Sequence, residues 1–329
     1  DAGGDATFAD SPTEAQADVT TDVAPDVTCS CTGKTCGTDG CGKTCGTCGT
    51  DQTCNASDVC VCNASGKTVC NGASVDLQTD NNNCGGCGLT CTACNAGECL
   101  VTLASNIPHA SGIALNAIKA YVTSDQTNGN VYSMSLSGGG ATILTQSYPQ
   151  NGPYGIVVDA QYVYWTNNSG GTVMRMPLGG GVAPTTIASS QVAPSAMAID
   201  ATNVYWSDSG TPGQVMKAAL SNLAVSTLVG GVNGPVGLAV DSTYAYVALE
   251  SDDYVIKVQL SNGSVAAQLT NFQNNPFWLA IDSTNVYFTN SANSGDAHQI
   301  AQSTSMNAGI GLGTTALPQG IATDGVNIY

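Results

Sequence analysis

From residue 100 onward the apolar positions repeat on two scales. On the short scale they alternate, as in Met174, Met176 and Leu178 or Ile256, Val258 and Leu260, with more polar residues between them. A period of two is the pattern of a strand with two distinct faces. On the long scale the segments 112–124, 155–167, 196–208, 237–249, 278–290 and 320–329 align with one another. Their tyrosines Tyr121, Tyr164, Tyr205, Tyr246, Tyr287 and Tyr329 are spaced 43, 41, 41, 41 and 42 residues apart. Each period runs from a short apolar stretch ending in Asp (Asn116 in the first) through a turn to a β-branched and aromatic stretch. A Gly/Ser/Asn loop and two further alternating stretches follow, so each period predicts four strands joined by tight turns. Leu103, Leu144, Ile187, Leu228 and Leu269 mark the fourth. Pro153, Pro194, Pro235, Pro276 and Pro318 precede the Asp positions; without an N–H to give to a ladder, they belong in the connection entering the first strand.

One four-stranded sheet cannot bury both of its faces, whereas a ring of such sheets covers them. The pattern therefore predicts an all-β fold, a β-propeller of four-stranded blades over 100–329. Residues 102–105 stand in the same phase as 186–189, which predicts an orphan outer strand that closes the ring by completing the last sheet. The sixth repeat reaches its second strand at Tyr329, so the expectation is six blades with the last C-terminally incomplete.

Tyr164-Trp165-Thr166-Asn167 and Tyr205-Trp206-Ser207-Asp208 resemble YWTD propeller repeats, and the Pro-x-Gly-Ile-x-Val-Asp segment opening the period is similar to the NHL type. Tyr121-Val-Thr-Ser124 and Tyr246-Val-Ala-Leu249 lack the motif, and Asp208 alone supplies its final Asp. The resemblance covers 100–329 and implies a propeller that binds a protein or glycan ligand, or serves as a structural subunit. A similarity to gluconolactonase-type propellers implies an alternative, a calcium-dependent lactonase or esterase with carboxylates around one metal.

All fifteen cysteines precede the repeats: Cys29, Cys31, Cys36, Cys41, Cys45, Cys48, Cys54, Cys60, Cys62, Cys70, Cys84, Cys87, Cys91, Cys94 and Cys99. Their Cys-x-x-Cys spacings suit either thiolate metal knuckles or disulfides, but the segment has no His to share a metal. With very few large apolar residues in 29–99, cross-links must replace a core, so a disulfide framework in an oxidising compartment is expected. That places the chain outside the cell or on its surface. An odd count leaves a cysteine that is free, paired elsewhere or bonded between chains, the last giving a third alternative, a disulfide-linked filament subunit. Residues 83–91 resemble Cys-rich repeats of secreted bacterial surface proteins and of the plant stigma-specific family. Ahead of them, 1–28 carries seven acids, no base and no apolar period, which predicts a disordered acidic spacer. Such a stretch resembles the start of mature bacterial lipoproteins and implies a membrane tether through a lipidated N-terminus ahead of residue 1.

Charge narrows the partners. Lys and Arg number 7 against 24 Asp and Glu, a net −17, so the basic patch that nucleic acid needs is missing. No run approaches the roughly 20 apolar residues of a membrane-spanning helix.

Candidate chemistry falls where the repeat is broken, at loops expected on one face around the channel. Trp278 replaces the Gly or Ala of other periods, Phe277 stands beside it, and Tyr154 holds the position of Phe277 three periods earlier. Aromatics at a channel mouth suit glycan or peptide docking. Glu250, Asp252 and Asp253 share that face and are candidate calcium ligands through their oxygens; no other cofactor is expected. Asp159, Asp200, Asp241, Asp282 and Asp324 recur in each period, which argues for accepting turn N–H groups rather than for chemistry. Arg175, Lys217, Lys257 and Lys119 are expected as isolated solvated cations. His109 and His298 are the sole histidines, so neither a Ser/His/Asp triad nor a three-His metal site is supported, and no catalytic residue is expected.

Overall fold

The second strand of each repeat is an unbroken buried run after its first residue, not an alternating one. A strand reads this way when both faces of its sheet are covered, as the second, third and fourth sheets are by the blades on either side and as the second strand of the first sheet is by Leu103, Ala104 and Ile107. The computed structural model describes residues 31–38, 44–49, 52–62, 67–91, 93–100, 102–271, 273–291, 295–303, 310–314, 320–323, 325 and 327–329. The chain divides into two units, Asp1–Leu100 and Val101–Tyr329.

In the second unit the described residues form five four-stranded antiparallel sheets in simple sequence order. The first comprises Ala110–Leu115, Lys119–Ser124, Val131–Ser135 and Ala141–Ile143; the second comprises Pro153–Val158, Tyr162–Asn167, Thr172–Pro177 and Thr185–Ala188. The third comprises Pro194–Ile199, Asn203–Asp208, Gly213–Ala219 and Val225–Val232, and the fourth Pro235–Val240, Tyr244–Leu249, Tyr254–Gln259 and Val265–Gln268. The fifth comprises Pro276–Ile281, Asn285–Asn290, Asp296–Ala301 and Ile310–Thr314. First strands lie innermost and neighbour one another from blade to blade. Pro153, Pro194, Pro235 and Pro276 are the first residues of those strands rather than of the connections, the strand position where a missing N–H costs no ladder bond.

Aromatic residues interleave between blades. Tyr121 of the first blade packs with Trp165 of the second, Tyr164 with Trp206 of the third, and Tyr246 with Phe288 of the fifth. Closer to the axis the backbones nearly touch: a Cβ added at Gly112, Gly155 or Gly237 would strike the carbonyl of Tyr154, Ser195 or Phe277 in the next blade. The Thr166 hydroxyl uses that closeness, accepting the Gly155 N–H at 2.9 Å and donating to the Ser195 carbonyl at 2.8 Å.

At the hairpins joining first and second strands, the recurrent Asp accepts turn N–H groups as expected. Asp200 Oδ1 takes those of Thr202 and Asn203, and Asp282 Oδ1 those of Thr284 and Asn285. The second oxygen accepts the repeated tyrosine hydroxyl, at 2.7 Å for Tyr164 and Tyr205, 2.8 Å for Tyr246 and 2.6 Å for Tyr287. Asp324 lies outside the described residues. The Tyr287 hydroxyl and the turn N–H groups hold the Asp282 carboxyl well below its ordinary 3.8. At Asp200 burial works upward, but the Tyr205 hydroxyl and the turn N–H groups outweigh it and the value is again lowered. Burial, reinforced by the Asp partner, pushes the phenols of Tyr164, Tyr205 and Tyr246 far above their ordinary 10.0. Lowered carboxyls stabilise the fold fully above their unfolded value, and that contribution is lost as pH falls through the folded one; raised phenols stabilise it fully below 10.0, and their contribution is lost as pH rises beyond. The melting temperature is therefore expected to be level between about pH 5 and 9 and to fall on both sides. In Asp282→Asn the acid limb should shrink; an unchanged acid limb would refute this account.

The closing strand expected at 102–105 is not formed. Residues 102–109 contain no strand; Leu103, Ala104 and Ile107 instead pack on Ala120, Val122, Tyr132 and Met134 of the first sheet. They shield the outer part of a face that no complete blade precedes. Nearer the axis that face stays open: Ile113 and Leu115 are 63% and 59% exposed, whereas Ile156, Met197, Leu238 and Leu279, in the phase of Ile113, are 6–8% exposed. Beyond the fifth sheet Ala322 and Tyr329 exchange backbone hydrogen bonds of 3.0 and 2.9 Å, the register that Ala280 and Tyr287 share in the fifth blade.

In the first unit four two-stranded hairpins are cross-linked by Cys31–Cys45, Cys36–Cys54, Cys48–Cys60, Cys70–Cys87 and Cys84–Cys94. Cys91 is also disulfide-bonded. Its buried described residues are Cys36, Cys70, Cys84 and Gln52, so sulfur stands where a hydrophobic core would otherwise be. Cys29 and Cys41, the side chains of Cys62 and Cys99, and the spacer 1–28 fall outside what is described.

Candidate functional site

The first strands enter from the end of the propeller where second strands leave and third strands begin. Tyr154 and Phe277 are the second residues of their strands and Trp278 is the third, so all three lie at that mouth. Trp278 occupies the position where Gly112, Gly155 and Gly237 let the next blade approach. Its indole spans the opening to meet Tyr154, with centroids 6.3 Å apart and ring planes at 81°. Phe277 stacks beside it at 6.0 Å and 28°. The three residues singled out by the broken repeat are thus one aromatic cluster. They wall a cavity of about 390 Å³ completed by His109, Ser111 and Asp125. Deeper in the channel a second cavity of about 340 Å³ is lined by first-strand residues including Ala114, Val157, Met197 and Leu238.

Asp125 and His109 carry no motif and were not singled out by the repeat. A signal for Asp125 does exist: it follows Tyr121 by four residues, as Glu250 follows Tyr246. Both bear on the cluster, because the Tyr154 phenol is pushed up by burial first and then by the charges of Asp125 and Glu250.

The calcium candidates are not brought together. Asp252 accepts hydrogen bonds from Asn233 Nδ2 at 3.0 Å and from the Asn233 N–H at 3.3 Å. Asp253 accepts the Asn275 N–H at 3.1 Å. These carboxylates tie the loop after the second strand of the fourth blade to the connections entering the fourth and fifth blades. Among the described residues the one trio of potential ligand atoms within 4.8 Å of one another is Cys36, Cys48 and Cys60. Those sulfurs are held in the Cys36–Cys54 and Cys48–Cys60 disulfides, so they offer no thiolate to a metal.

The cations expected in solvent are half-buried against the opposite end. The Arg175 guanidinium lies 4.4 Å from the Tyr162 ring centre and Lys257 Nζ lies 4.0 Å from that of Tyr244. Lys217 Nζ donates to the Leu260 carbonyl at 3.3 Å. Long side chains of this kind cover apolar surface with their stems while the head finds an electron-rich partner. His298 bonds Asp296 at 2.8 Å and stacks on Phe288, away from the aromatic cluster.

No protein-family model matches the chain, and no curated protein matches it. Among solved structures it is similar to a chain of the nidogen/laminin complex, with TM-score 0.56 and 19% identity over 66% of this chain and 85% of that one. It is also similar to a streptogramin B lyase, with TM-score 0.54 and 12% identity over 69% of this chain and 78% of that one. At these identities the likeness establishes the fold alone, an all-β propeller.

Proposed function

We propose that this protein is an extracellular or cell-surface binding module whose propeller holds a protein or glycan ligand at the aromatic mouth of its channel. The observation that carries the reading is Trp278, a large side chain at a position given to Gly or Ala in the other blades, reaching across the opening to Tyr154. Burying such rings against a ligand is the strongest source of affinity this surface offers. The five disulfides among the described residues support an oxidising compartment. A six-bladed plan is part of the same reading, supported by the hairpin register at Ala322 and Tyr329 and by the exposed Ile113 and Leu115.

Immobilised full-length protein, screened against an array of glycans and against secreted proteins of its source, is expected to retain ligands that Trp278→Ala loses by about tenfold or more in affinity. The variant should melt at nearly the same temperature, because the indole is only half-buried. Retention unaffected by Trp278→Ala would remove this site from the reading.

A further inference from the structure

The charges of the propeller are sorted by end. In the loops and strand ends at the mouth stand Asp125, Asp208, Glu250, Asp252, Asp253 and Asp296, with no Lys or Arg. At the opposite end Asp159, Asp200, Asp241 and Asp282 are balanced by Lys119, Arg175, Lys217 and Lys257. Three of those four cations are engaged by tyrosine rings or a carbonyl near their own end, as described above. The aromatic cluster thus sits in the strongly negative part of the domain, and Asp125 lines its cavity.

The rings have the geometry that such a field can use. Trp278 and Tyr154 stand nearly perpendicular, and Phe277 extends the indole wall on one side. Two ring planes at a right angle form a corner, and the negative ring faces attract a compact, weakly hydrated cation. A nearby carboxylate adds long-range attraction without having to lose its own water. The cavity, about 390 Å³, has room for a branched ammonium and part of the chain that carries it. An acidic glycan would be repelled by the same field.

We propose that the aromatic corner of Tyr154, Phe277 and Trp278 is a recognition site for an alkylammonium group, held over the rings with Asp125 as its counter-charge. This rests on the binding-module reading and specifies the chemistry of its ligand. The ammonium could be a lysine side chain of a partner protein or a small quaternary ammonium of the choline type, and the two sources share the recognition chemistry.

Calorimetric titration of the full chain at matched ionic strength tests it with choline chloride, n-butylammonium chloride and the uncharged isostere 3,3-dimethylbutan-1-ol. At least one cation is expected to bind about tenfold tighter than the isostere. Trp278→Leu should weaken that binding by roughly tenfold, and Asp125→Asn by roughly threefold with a flatter salt dependence. Tyr154→Phe keeps the ring and should retain most of the affinity. A preference for choline over butylammonium would indicate a quaternary ligand, and the reverse a lysine side chain; both support the site. The proposal is overturned if the isostere binds as tightly as both cations, if neither cation binds, or if cation binding ignores Trp278→Leu. A neutral glycan or uncharged peptide retained through Trp278 without any cation preference would sink the ammonium site and leave the binding module standing. Loss of every Trp278-dependent interaction would sink both.

Discussion

Reducing the disulfides is expected to unfold the first unit and to leave the propeller intact. The described residues of 31–100 bury little besides cysteines, and the loops closed by the five described disulfides span 10 to 18 residues. Each such cross-link contributes about 2–4 kcal/mol, so together they match or exceed the 5–15 kcal/mol by which a whole domain is ordinarily stable. The propeller has no cysteine after Cys99. Hydrogen exchange read by mass spectrometry, with and without a thiol reductant, should show protection lost up to about Leu100 and kept in the second strands of the blades. Protection that survives reduction in the first unit would mean that its structure does not depend on the cross-links.

Trp206→Ala should cost the propeller about 3–5 kcal/mol, the usual penalty for emptying a large aromatic site in a core that cannot collapse around it. Trp206 is fully buried between the second and third blades, among Tyr164, Val173, Ile187, Met197 and Met216. Its indole N–H donates to Gln191 at 2.8 Å, and the truncation also strands that acceptor. Chemical denaturation should register the loss as a lower midpoint. Val265→Ala, on an outer strand and 51% exposed, should change stability by less than about 0.5 kcal/mol. A similar small change at Trp206 would contradict the packing of blade against blade.

Much of this was legible in advance because it repeats. The tyrosine ladder, the Asp at each first-strand end and the broken position at Trp278 are visible as departures from, or adherence to, one period. What the period left unjoined was pairing: Tyr and Asp were two separate ladders until the fold closed each hairpin and set hydroxyl against carboxylate at 2.6–2.8 Å. The expected closing strand failed for a similar reason. The phase of 102–105 marks an outer strand, but phase does not say which surface needs cover, and Leu103 went to the bare face of the first sheet.

By itself, the amino-acid order determined the strand content, the blade period, the place of the cysteines and the identity of the aromatic residues at the mouth. These are local or periodic properties, set by side-chain alternation and turn chemistry within tens of residues. Only the tertiary structure decided that Tyr154 and Trp278, more than a hundred residues apart, share one corner, that Asp125 lines it, and that Asp252 and Asp253 serve as loop anchors. Those outcomes depend on the curvature that carries the first strands around the axis, and a ring brings distant repeats face to face in a way no spacing along the chain records.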